Sequence, residues 1–356
     1  MRIAVLDDYH GVARNFADWS RVEERAEVSV YKAPLGNEDD VRAELQPYDA
    51  VCLMRERTPF PASVIEALPN LKLIVTTGMR NEAIDLAAAE RCGITVCGTH
   101  SPGHATAELA VGLMIGAAKK LITEVRSLSV GGWQLDVGRD LYGATLGIVG
   151  LGRLGSKMAR IGMAFGMKVI AWSQNLTDER CAEVGVTRMP ELEDLLRESD
   201  FVSIHTKLSE RTRGLIGARE LGFMKSDAIL INTWRAAIVD TMALIAALAG
   251  GHIGGAGLDV FDEELLPAGH LLHGAPNLII TPYVGYVTGR PKRSSIARRW
   301  RLWRVFSRES RCGFCLPDRS VAIVAVYATD GYFYPILLSK PPLDKSLNVF
   351  ILTLSS

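Results

Sequence analysis

The fold of this chain is constrained most by one stretch, residues 145–173, with the sequence TLGIVGLGRLGSKMARIGMAFGMKVIAWS. A short apolar run leads into a GxGxxG turn, and a helical pattern and a second apolar run follow. The three glycines of such a turn allow the tight bend, the approach of a pyrophosphate, and close packing of helix on strand. This order predicts dinucleotide binding at the helix N-terminus, and a glycine turn without a ligand is the alternative. The candidate cofactor-binding residues are Gly150, Gly152, Arg153, Leu154 and Gly155.

Strand-like and helix-like segments alternate on both sides of this stretch, which indicates parallel sheets covered by helices. Residues 101–284 contain enough of them for a complete doubly wound unit with six or more strands. Residues 106–125 predict a long helix with small and apolar residues on most faces, so we expect it to be buried between domains or at a subunit interface. Residues 131–142 predict a polar loop. The predicted strands are 3–6, 28–31, 50–54, 73–76, 94–96, 146–149, 168–172, 201–204, 228–231, 257–260 and 278–280.

Length and composition favour a two-domain globular protein. The chain has 356 residues and a net charge of zero, which indicates neither a nucleic-acid nor a membrane partner. Six cysteines without a regular framework, and an N-terminus typical of a strand rather than a leader, predict a reducing, cytoplasmic location. The most apolar late stretch, residues 321–338, is interrupted by Asp330, Gly331 and Pro335, so we predict no membrane span.

Six motifs in the first 288 residues resemble, in the same order, those of the D-isomer-specific 2-hydroxyacid dehydrogenases, a family that includes phosphoglycerate dehydrogenase and hydroxypyruvate reductase. The resemblance implies an α/β protein with two Rossmann-like domains: a flavodoxin-like substrate domain at 1–100 and a doubly wound dinucleotide-binding domain at 101–284. It also implies an active site in the cleft between them. For the 106–125 helix region we expect a homodimer contact. The motifs are SPGHATAEL at 101–109, GIVGLGRLG at 147–155, FVSIHTKLSERTRGLI at 201–216, INTWRAAIVD at 231–240, GLDVFDEE at 257–264 and TPYVGYVT at 281–288.

The catalytic residues follow from the same resemblance. The family transfers a hydride between nicotinamide and a 2-keto acid, which implies an NAD(P)-dependent oxidoreductase for a small acid of the hydroxypyruvate, glyoxylate or phosphoglycerate type. Arg235 matches the arginine that holds the substrate, because its planar, permanently charged fork suits a carboxylate. Glu264 matches the glutamate that keeps the catalytic histidine protonated. Tyr283 stands at the position of that histidine, since this chain reads TPY where the family reads TPH.

Further site residues are implied by their positions in the motifs. Asp259 matches a residue near the nicotinamide carboxamide, and His205 matches a histidine near the cofactor, with a satisfied core histidine as the alternative. Backbone groups at Gly78 and Met79 are expected to contact the substrate. The remaining candidates are Ser173, Thr233 and Gly285 for the cofactor and Arg55 and Arg80 for the substrate; a solvated loop charge is the alternative for Arg80.

Departures from the family pattern predict impaired catalysis. A tyrosine at position 283 has a reference pKa of about 10 and exchanges protons poorly near pH 7. Loss of a positioned acid or base costs ~10²–10⁴ in rate. Trp234 and Ala236 replace a small residue and a glycine beside the arginine, so the tryptophan either crowds the site or turns to solvent. His270 and His273 lie nearby but are typical of loop residues rather than substitute acids.

The tail, residues 285–356, is a further departure, because the family continues with an acidic helix that returns to the first domain. Residues 289–311 instead contain nine Lys and Arg against one acid, whereas residues 1–288 carry a net charge of −8. A frameshift is our leading explanation, and a divergent tail is the alternative. Under a frameshift the basic run is not a nucleic-acid patch. The single CxxC at 312–315 has no second ligand pair, so we predict no metal site.

The sequence leaves two choices open: NADP or NAD as the cofactor, and an enzyme or a regulatory protein without turnover. Ser173 stands where NAD-specific sites place an acid, and Gln174 and Asn175 follow it. No carboxylate there repels a 2′-phosphate and no arginine binds one, so we expect NADP to be tolerated or preferred, with NAD as the alternative. Because the family also includes transcriptional corepressors, the second functional hypothesis is a dinucleotide-binding regulatory protein without turnover.

Overall fold

The computed structural model describes residues 1–15, 19–78, 81–99 and 103–287, together with the backbone of three strands after residue 321. The chain divides into two compact units. Unit 1 is Met1–Ser101 with Arg293–Ser356, and unit 2 is Pro102–Lys292. Parallel sheets with flanking helices make up the main body of each unit, which confirms the predicted α/β fold with two Rossmann-like domains.

Unit 1 contains a five-stranded parallel sheet in the order β2-β1-β3-β4-β5. This is the flavodoxin-like order, in which the chain adds strands first on one side of β1 and then on the other, so the strand order reverses between β1 and β3. The neighbouring strands β3 and β4 are buried along their whole length and are apolar except for Thr76 and Thr77 at the end of β4, so both faces of the sheet are covered there. The strands are β1 Arg2–Val5, β2 Glu27–Val30, β3 Ala50–Leu53, β4 Leu73–Thr77 and β5 Thr95–Thr99; the helices are α1 Ser20–Glu23, α2 Glu38–Leu45, α3 Ala62–Ile65 and α4 Leu86–Arg91.

Unit 2 contains a seven-stranded parallel sheet in the order β12-β11-β10-β9-β6-β7-β8. The strand order reverses between β6 and β9, and ligands bind beyond the carboxyl ends of strands at such a point. The strands are β6 Thr145–Val149, β7 Lys168–Trp172, β8 Thr187–Arg188, β9 Phe201–Ile204, β10 Ile229–Asn232, β11 Gly255–Leu258 and β12 Leu278–Ile280. The helices are α5 His104–Ala118, α6 Leu121–Ser129, α7 Arg153–Ala164, α8 Asp178–Val184, α9 Leu192–Glu198, α10 Ala218–Leu221 and α11 Thr241–Ala249.

The helix predicted over 106–125 is two helices in the structure. α5 ends at Ala118, and α6 begins at Leu121 after Lys120, whose φ of 52° interrupts the helix. Eight residues of α5 are buried, and the helix packs against α7, β10 and β11. α6 instead exposes an apolar stripe, so the two halves of the predicted helix have different surroundings.

The tail contributes a separate three-stranded antiparallel sheet in the order β14-β13-β15. Its strands are β13 Ala322–Ala328, β14 Tyr332–Leu338 and β15 Val349–Ile351. Two of them fall in the apolar stretch for which we predicted no membrane span. Among the described residues, no helix has the length and apolar character needed to cross a bilayer. The basic run at 289–311 and the CxxC at 312–315 lie outside the described residues.

Candidate active site

The glycine turn after β6 has the geometry that its spacing predicts. Gly150 has a φ of 100°, and a Cβ atom there would lie 2.5 Å from the backbone nitrogen of Thr206. A Cβ atom on Gly155 would lie 2.0 Å from the carbonyl oxygen of Gly150, so only glycine lets α7 pack this closely on the turn. A Cβ atom on Gly152 would meet nothing within 4 Å, which leaves open space at the start of α7.

The N-terminus of α7 is suited to an anion. Gly152 is its N-cap and provides no side-chain hydrogen bond, and the first turn contains no acidic residue. Unpaired N–H groups and the positive end of the helix dipole favour a phosphate at such a position. Arg153 is the first residue of the helix and is exposed, whereas Leu154 is buried in the core. Of these two predicted cofactor residues, only Arg153 therefore has its side chain at the surface.

The carboxyl end of β7 lacks a carboxylate. Ser173 is half-buried, and the two residues that follow are exposed amides. The structure brings Arg180 of α8 to the glycine turn, where its Nε donates to the carbonyl oxygen of Leu151 at 3.3 Å and its Nη2 to Ser156 Oγ at 2.7 Å. Arg180 also pairs with Glu183 at 2.8 Å. Sequence reasoning missed this arginine because it lies on the next helix, and only the tertiary fold brings it to the turn.

Two buried polar side chains stand side by side at the ends of β9 and β10. The paired residues Ile204 and Asn232 immediately precede His205 and Thr233 in the parallel register. His205 Nε2 shares a hydrogen bond of 2.9 Å with Ser203 Oγ, and burial lowers the pKa of His205 to about 4, so the ring is neutral at pH 7. Within the described part of the chain, His205 Nδ1 and Thr233 Oγ1 are buried without a hydrogen-bond partner. Such atoms are costly unless a ligand supplies the partner.

Asp259, at the end of β11, organises the turn that contains position 283. Its carboxylate accepts hydrogen bonds of 2.8 Å from Thr281 Oγ1, the Val284 N–H and the Gly285 N–H. Burial raises the pKa of Asp259 although these three bonds favour the ionised form. A Cβ atom on Gly285 would lie 2.8 Å from Asp259 Oδ2, so glycine permits this close approach. The predicted cofactor residues Asp259 and Gly285 are therefore in direct contact.

Tyr283 lies in this turn with a left-handed backbone, at a φ of 53°. Its N–H donates to the carbonyl oxygen of Thr281 at 3.0 Å. The half-buried ring packs edge-on against Phe261, with the ring centroids 6.3 Å apart. Apolar packing thus fixes the phenol ring at the position that the sequence resemblance assigns to a catalytic histidine.

The predicted glutamate and the two nearby histidines lie in the loop between β11 and β12. Glu264 is exposed there. His270 Nδ1 accepts from the Leu272 N–H at 3.2 Å and caps the 3₁₀ helix Leu271–Gly274. His273 Nε2 lies 3.1 Å from the carbonyl oxygen of Pro267. Both histidines have local partners within this loop.

Asn232, which sequence reasoning missed, fixes the segment that contains Arg235. It is 1% exposed, and its amide Nδ2 donates to the Arg235 carbonyl oxygen at 2.9 Å while its Oδ1 accepts from the Trp234 N–H at 3.0 Å. The Arg235 guanidinium lies 5.2 Å from the centre of the Trp234 ring. That ring is half-buried against the apolar core of unit 2, so the alternative of a tryptophan turned out to solvent is wrong. The signal available in sequence was the asparagine two residues before the tryptophan.

The substrate candidates of unit 1 follow the carboxyl ends of β3 and β4. The N–H of Arg55 donates to Thr77 Oγ1 at 2.9 Å, and its carbonyl oxygen accepts from Asn81 Nδ2 at 2.6 Å. The N–H of Gly78 donates to Thr99 Oγ1 at 3.3 Å. The backbones of these two predicted substrate residues, Arg55 and Gly78, are thus fixed by side chains of the same unit.

The other two substrate candidates, Met79 and Arg80, lie outside the described residues. The described part of the chain contains no group of three or more histidine, cysteine or acidic side chains that could hold a metal ion.

A doubly wound parallel sheet with this glycine turn defines a dinucleotide-binding protein. Comparison with known proteins shows which family of dinucleotide-binding proteins this is. Residues 111–285 match the family model described as D-isomer specific 2-hydroxyacid dehydrogenase, NAD binding domain. The chain is 38% identical to a glyoxylate reductase of Korarchaeum cryptofilum over 74% of this chain and 81% of that protein. It therefore belongs to the D-isomer-specific 2-hydroxyacid dehydrogenases, which are NAD(P)-dependent oxidoreductases.

Solved structures agree with this assignment. A phosphoglycerate oxidoreductase from Vibrio cholerae is 32% identical, with a TM-score of 0.82 over 87% of this chain and 99% of its own. A D-lactate dehydrogenase from Aquifex aeolicus, crystallised with NAD and lactic acid, is 25% identical, with a TM-score of 0.72 over 87% of this chain and 96% of its own. The residues of unit 2 fit such a cofactor, because the space beside Gly152 and the buried, unpartnered atoms of His205 and Thr233 follow the carboxyl ends of strands, where sheets of this kind bind ligands.

The glycine turn generates a paired prediction. Gly155→Ala places a methyl against a backbone carbonyl and is expected to lower the free energy of unfolding by about 1–3 kcal/mol. Gly152→Ala is expected to cost less than about 1 kcal/mol, yet to raise the Kd for NADH at least about tenfold because the methyl occupies the space for the phosphates. Chemical denaturation and NADH fluorescence titration measure the two effects. Equal losses of stability in the two variants would contradict the separate roles of these glycines.

Proposed function

We propose that this protein is a reductase of small 2-keto acids, of the hydroxypyruvate, glyoxylate or phosphoglycerate type. The observation that supports this most is the arrangement after β10. Among the described residues, the buried Thr233 hydroxyl has no hydrogen-bond partner, and Asn232 holds the backbone of Arg235 three residues further on. A hydroxyl that can bond the cofactor and a cation that can bind a carboxylate thus follow the same strand. When bound, the cofactor supplies the hydride.

The side chains of this chain have distinct roles in the proposal. Arg235 binds the substrate carboxylate and polarises the keto group. His205, as a neutral ring, and Thr233 provide hydrogen-bonding groups for the cofactor. Asp259 holds the turn in place through Gly285. In unit 1, backbone groups at 78 and 79, with the side chains of Arg55 and Arg80, contact the substrate.

Proton donation is the weak step of the proposed reaction. A tyrosine hydroxyl can donate a hydrogen bond to the developing oxyanion but exchanges a proton slowly near pH 7, because its reference pKa is about 10. Glu264 supports a histidine in the family pattern and has no comparable effect on a phenol. We therefore expect the natural sequence to turn over slowly.

Tyr283→His is expected to raise kcat for hydroxypyruvate reduction at least about tenfold, because it restores a donor that titrates near neutral pH. Histidine is among the residues that tolerate the left-handed backbone at this position. Oxidation of NADH and NADPH is followed by absorbance. Tyr283→Phe, which keeps the ring and removes the hydroxyl, is the control and should not gain activity. An unchanged kcat in Tyr283→His would show that the missing histidine does not limit the rate.

The second candidate is a dinucleotide-binding regulatory protein without turnover. It is favoured by the combination of an intact glycine turn with a tyrosine at the proton-donor position. The same assay separates the two functions. Tight binding of NADH or NADPH without any oxidation, in both the natural sequence and Tyr283→His, would favour the regulatory protein.

We infer that NADP is tolerated or preferred, because an uncharged end of β7 and Arg180 beside the turn both suit a 2′-phosphate. Ser173→Asp is expected to raise the Kd for NADPH at least about tenfold while changing that for NADH less than about twofold. Asn175→Asp adds the same charge two residues away and is the matched control. Equal effects of Ser173→Asp on the affinities for NADPH and NADH would contradict the inference that the uncharged Ser173 admits the 2′-phosphate.

We further propose a homodimer and a cytoplasmic location. The described cysteines are free thiols, as suits a reducing compartment. α6 exposes Leu121, Ile122, Val125 and Leu128 along one face. The following loop folds back on α6, where its backbone N–H groups bind Glu124, and it exposes four more apolar residues: Val130, Trp133, Leu135 and Val137. Monomers rarely expose so continuous an apolar surface, so a second copy of the chain is its proposed partner.

Val125→Glu combined with Leu128→Glu is expected to give a monomer, because two charges would be buried in the dimer contact. Sedimentation velocity measures the mass. Met242→Glu is the control, since it adds a charge at an equally exposed apolar position on α11. A dimer that survives the double substitution would place the contact elsewhere.

A further inference from the structure

The segment after β10 contains an interaction that the family pattern does not have. Where the pattern has a small residue before the arginine, this chain has Trp234, and the guanidinium of Arg235 lies 5.2 Å from the centre of its ring. Arg235 Nη1 also donates to the carbonyl oxygen of Trp234 at 2.8 Å. A guanidinium at this distance from an indole face is attracted by the ring's quadrupole. The side chain and the backbone of Trp234 therefore both hold the guanidinium.

Trp234 is itself held firmly, which makes it a suitable support. Its ring packs against the buried apolar cluster of unit 2 that includes Ile238, Leu244 and Phe261. Its backbone N–H donates to Asn232 Oδ1 at 3.0 Å, whereas its indole Nε1 is buried without a hydrogen-bond partner among the described residues, so apolar packing is what holds the ring. The tryptophan thus gains a fixed orientation from the core and from Asn232, independently of the arginine.

We propose that Trp234 is a positioning residue for the substrate arginine: its ring restricts the Arg235 guanidinium so that the fork is pre-organised for the substrate carboxylate. An unrestrained arginine loses rotamer freedom when it binds a ligand, and a restrained one loses less. This inference rests on the proposed function, since it assumes that Arg235 binds a carboxylate. It assigns to the tryptophan a gain in substrate affinity, where the sequence analysis offered crowding of the site or a solvent-facing side chain.

The experiment uses the full chain with saturating NADH and oxamate, a two-carbon carboxylate that resembles a 2-keto acid and is not reduced. Oxamate affinity is measured by calorimetry in three proteins: the natural sequence, Trp234→Phe and Trp234→Ser. Trp234→Phe keeps an aromatic face and removes the indole N–H, and Trp234→Ser restores the family type of residue. NADH affinity and the unfolding temperature are measured for each protein, so that a folding defect is recognised.

The expected result is an oxamate Kd within about threefold of the natural sequence in Trp234→Phe and about tenfold higher in Trp234→Ser, with NADH affinity unchanged in both. With Arg235→Lys already present, Trp234→Ser should add less than about twofold, because a lysine has no planar fork for the ring to orient. If the tryptophan were purely structural, Trp234→Ser would instead lower oxamate affinity by the same factor whether arginine or lysine stands at position 235.

Three outcomes overturn the proposal. If oxamate affinity is the same in Trp234→Ser and in the natural sequence, the ring does not contribute to substrate binding. Equal losses in Trp234→Phe and Trp234→Ser, or a parallel loss of NADH affinity, assign the effect to the indole N–H or to the cofactor site. Failure of the proposed function is distinguishable, because the natural sequence would then bind NADH and give no heat with oxamate at all.

Discussion

The close approach of α7 to the turn after β6 is the constraint on which the rest of unit 2 depends. A Cβ atom on Gly155 would come within 2.0 Å of the Gly150 carbonyl oxygen, so the helix lies as near to the strand as two backbones allow. This contact sets the direction in which the N-terminus of α7 points and keeps the space beside Gly152 free. The neighbouring strands then place their own ends around that space, because parallel strands end at a common edge.

At the carboxyl ends of these strands, buried amide and carboxylate side chains hold the backbone segments that contain the predicted reactive residues. Asn232 fixes the segment of Arg235, and Asp259 fixes the turn of Tyr283, each through hydrogen bonds of 2.8 to 3.0 Å. Both residues are nearly inaccessible to solvent, so these bonds compete little with water. The geometry of the predicted substrate and proton-donor positions is thus set by the hydrogen bonds that Asn232 and Asp259 make to the backbone.

The parts of the fold that could be predicted from the sequence are those that depend on local pattern. Apolar runs between turns marked every strand of the two parallel sheets except β8, and the glycine spacing marked the turn after β6, whereas the strands of the tail were not predicted. β8 was missed because its two residues, Thr187 and Arg188, are exposed and give no apolar signal. The break between α5 and α6 was missed because Lys120 adopts a left-handed φ without being a glycine. The position of Arg180 and the burial of the Trp234 ring were unpredictable, since both arise from contacts between elements distant in sequence.

The left-handed backbone at Tyr283 has a consequence for which residues can stand at this position. Asp259 holds the turn through the neighbouring backbone N–H groups and Thr281, and none of these bonds involves the phenol. The hydrogen bonds of the turn therefore do not depend on the side chain at position 283, and histidine, like tyrosine here, can adopt the left-handed backbone. Because tyrosine and histidine codons differ by a single base, one point mutation in either direction exchanges the two residues in a ready-made setting. The exchange therefore needs no compensating change among the hydrogen bonds that hold the turn.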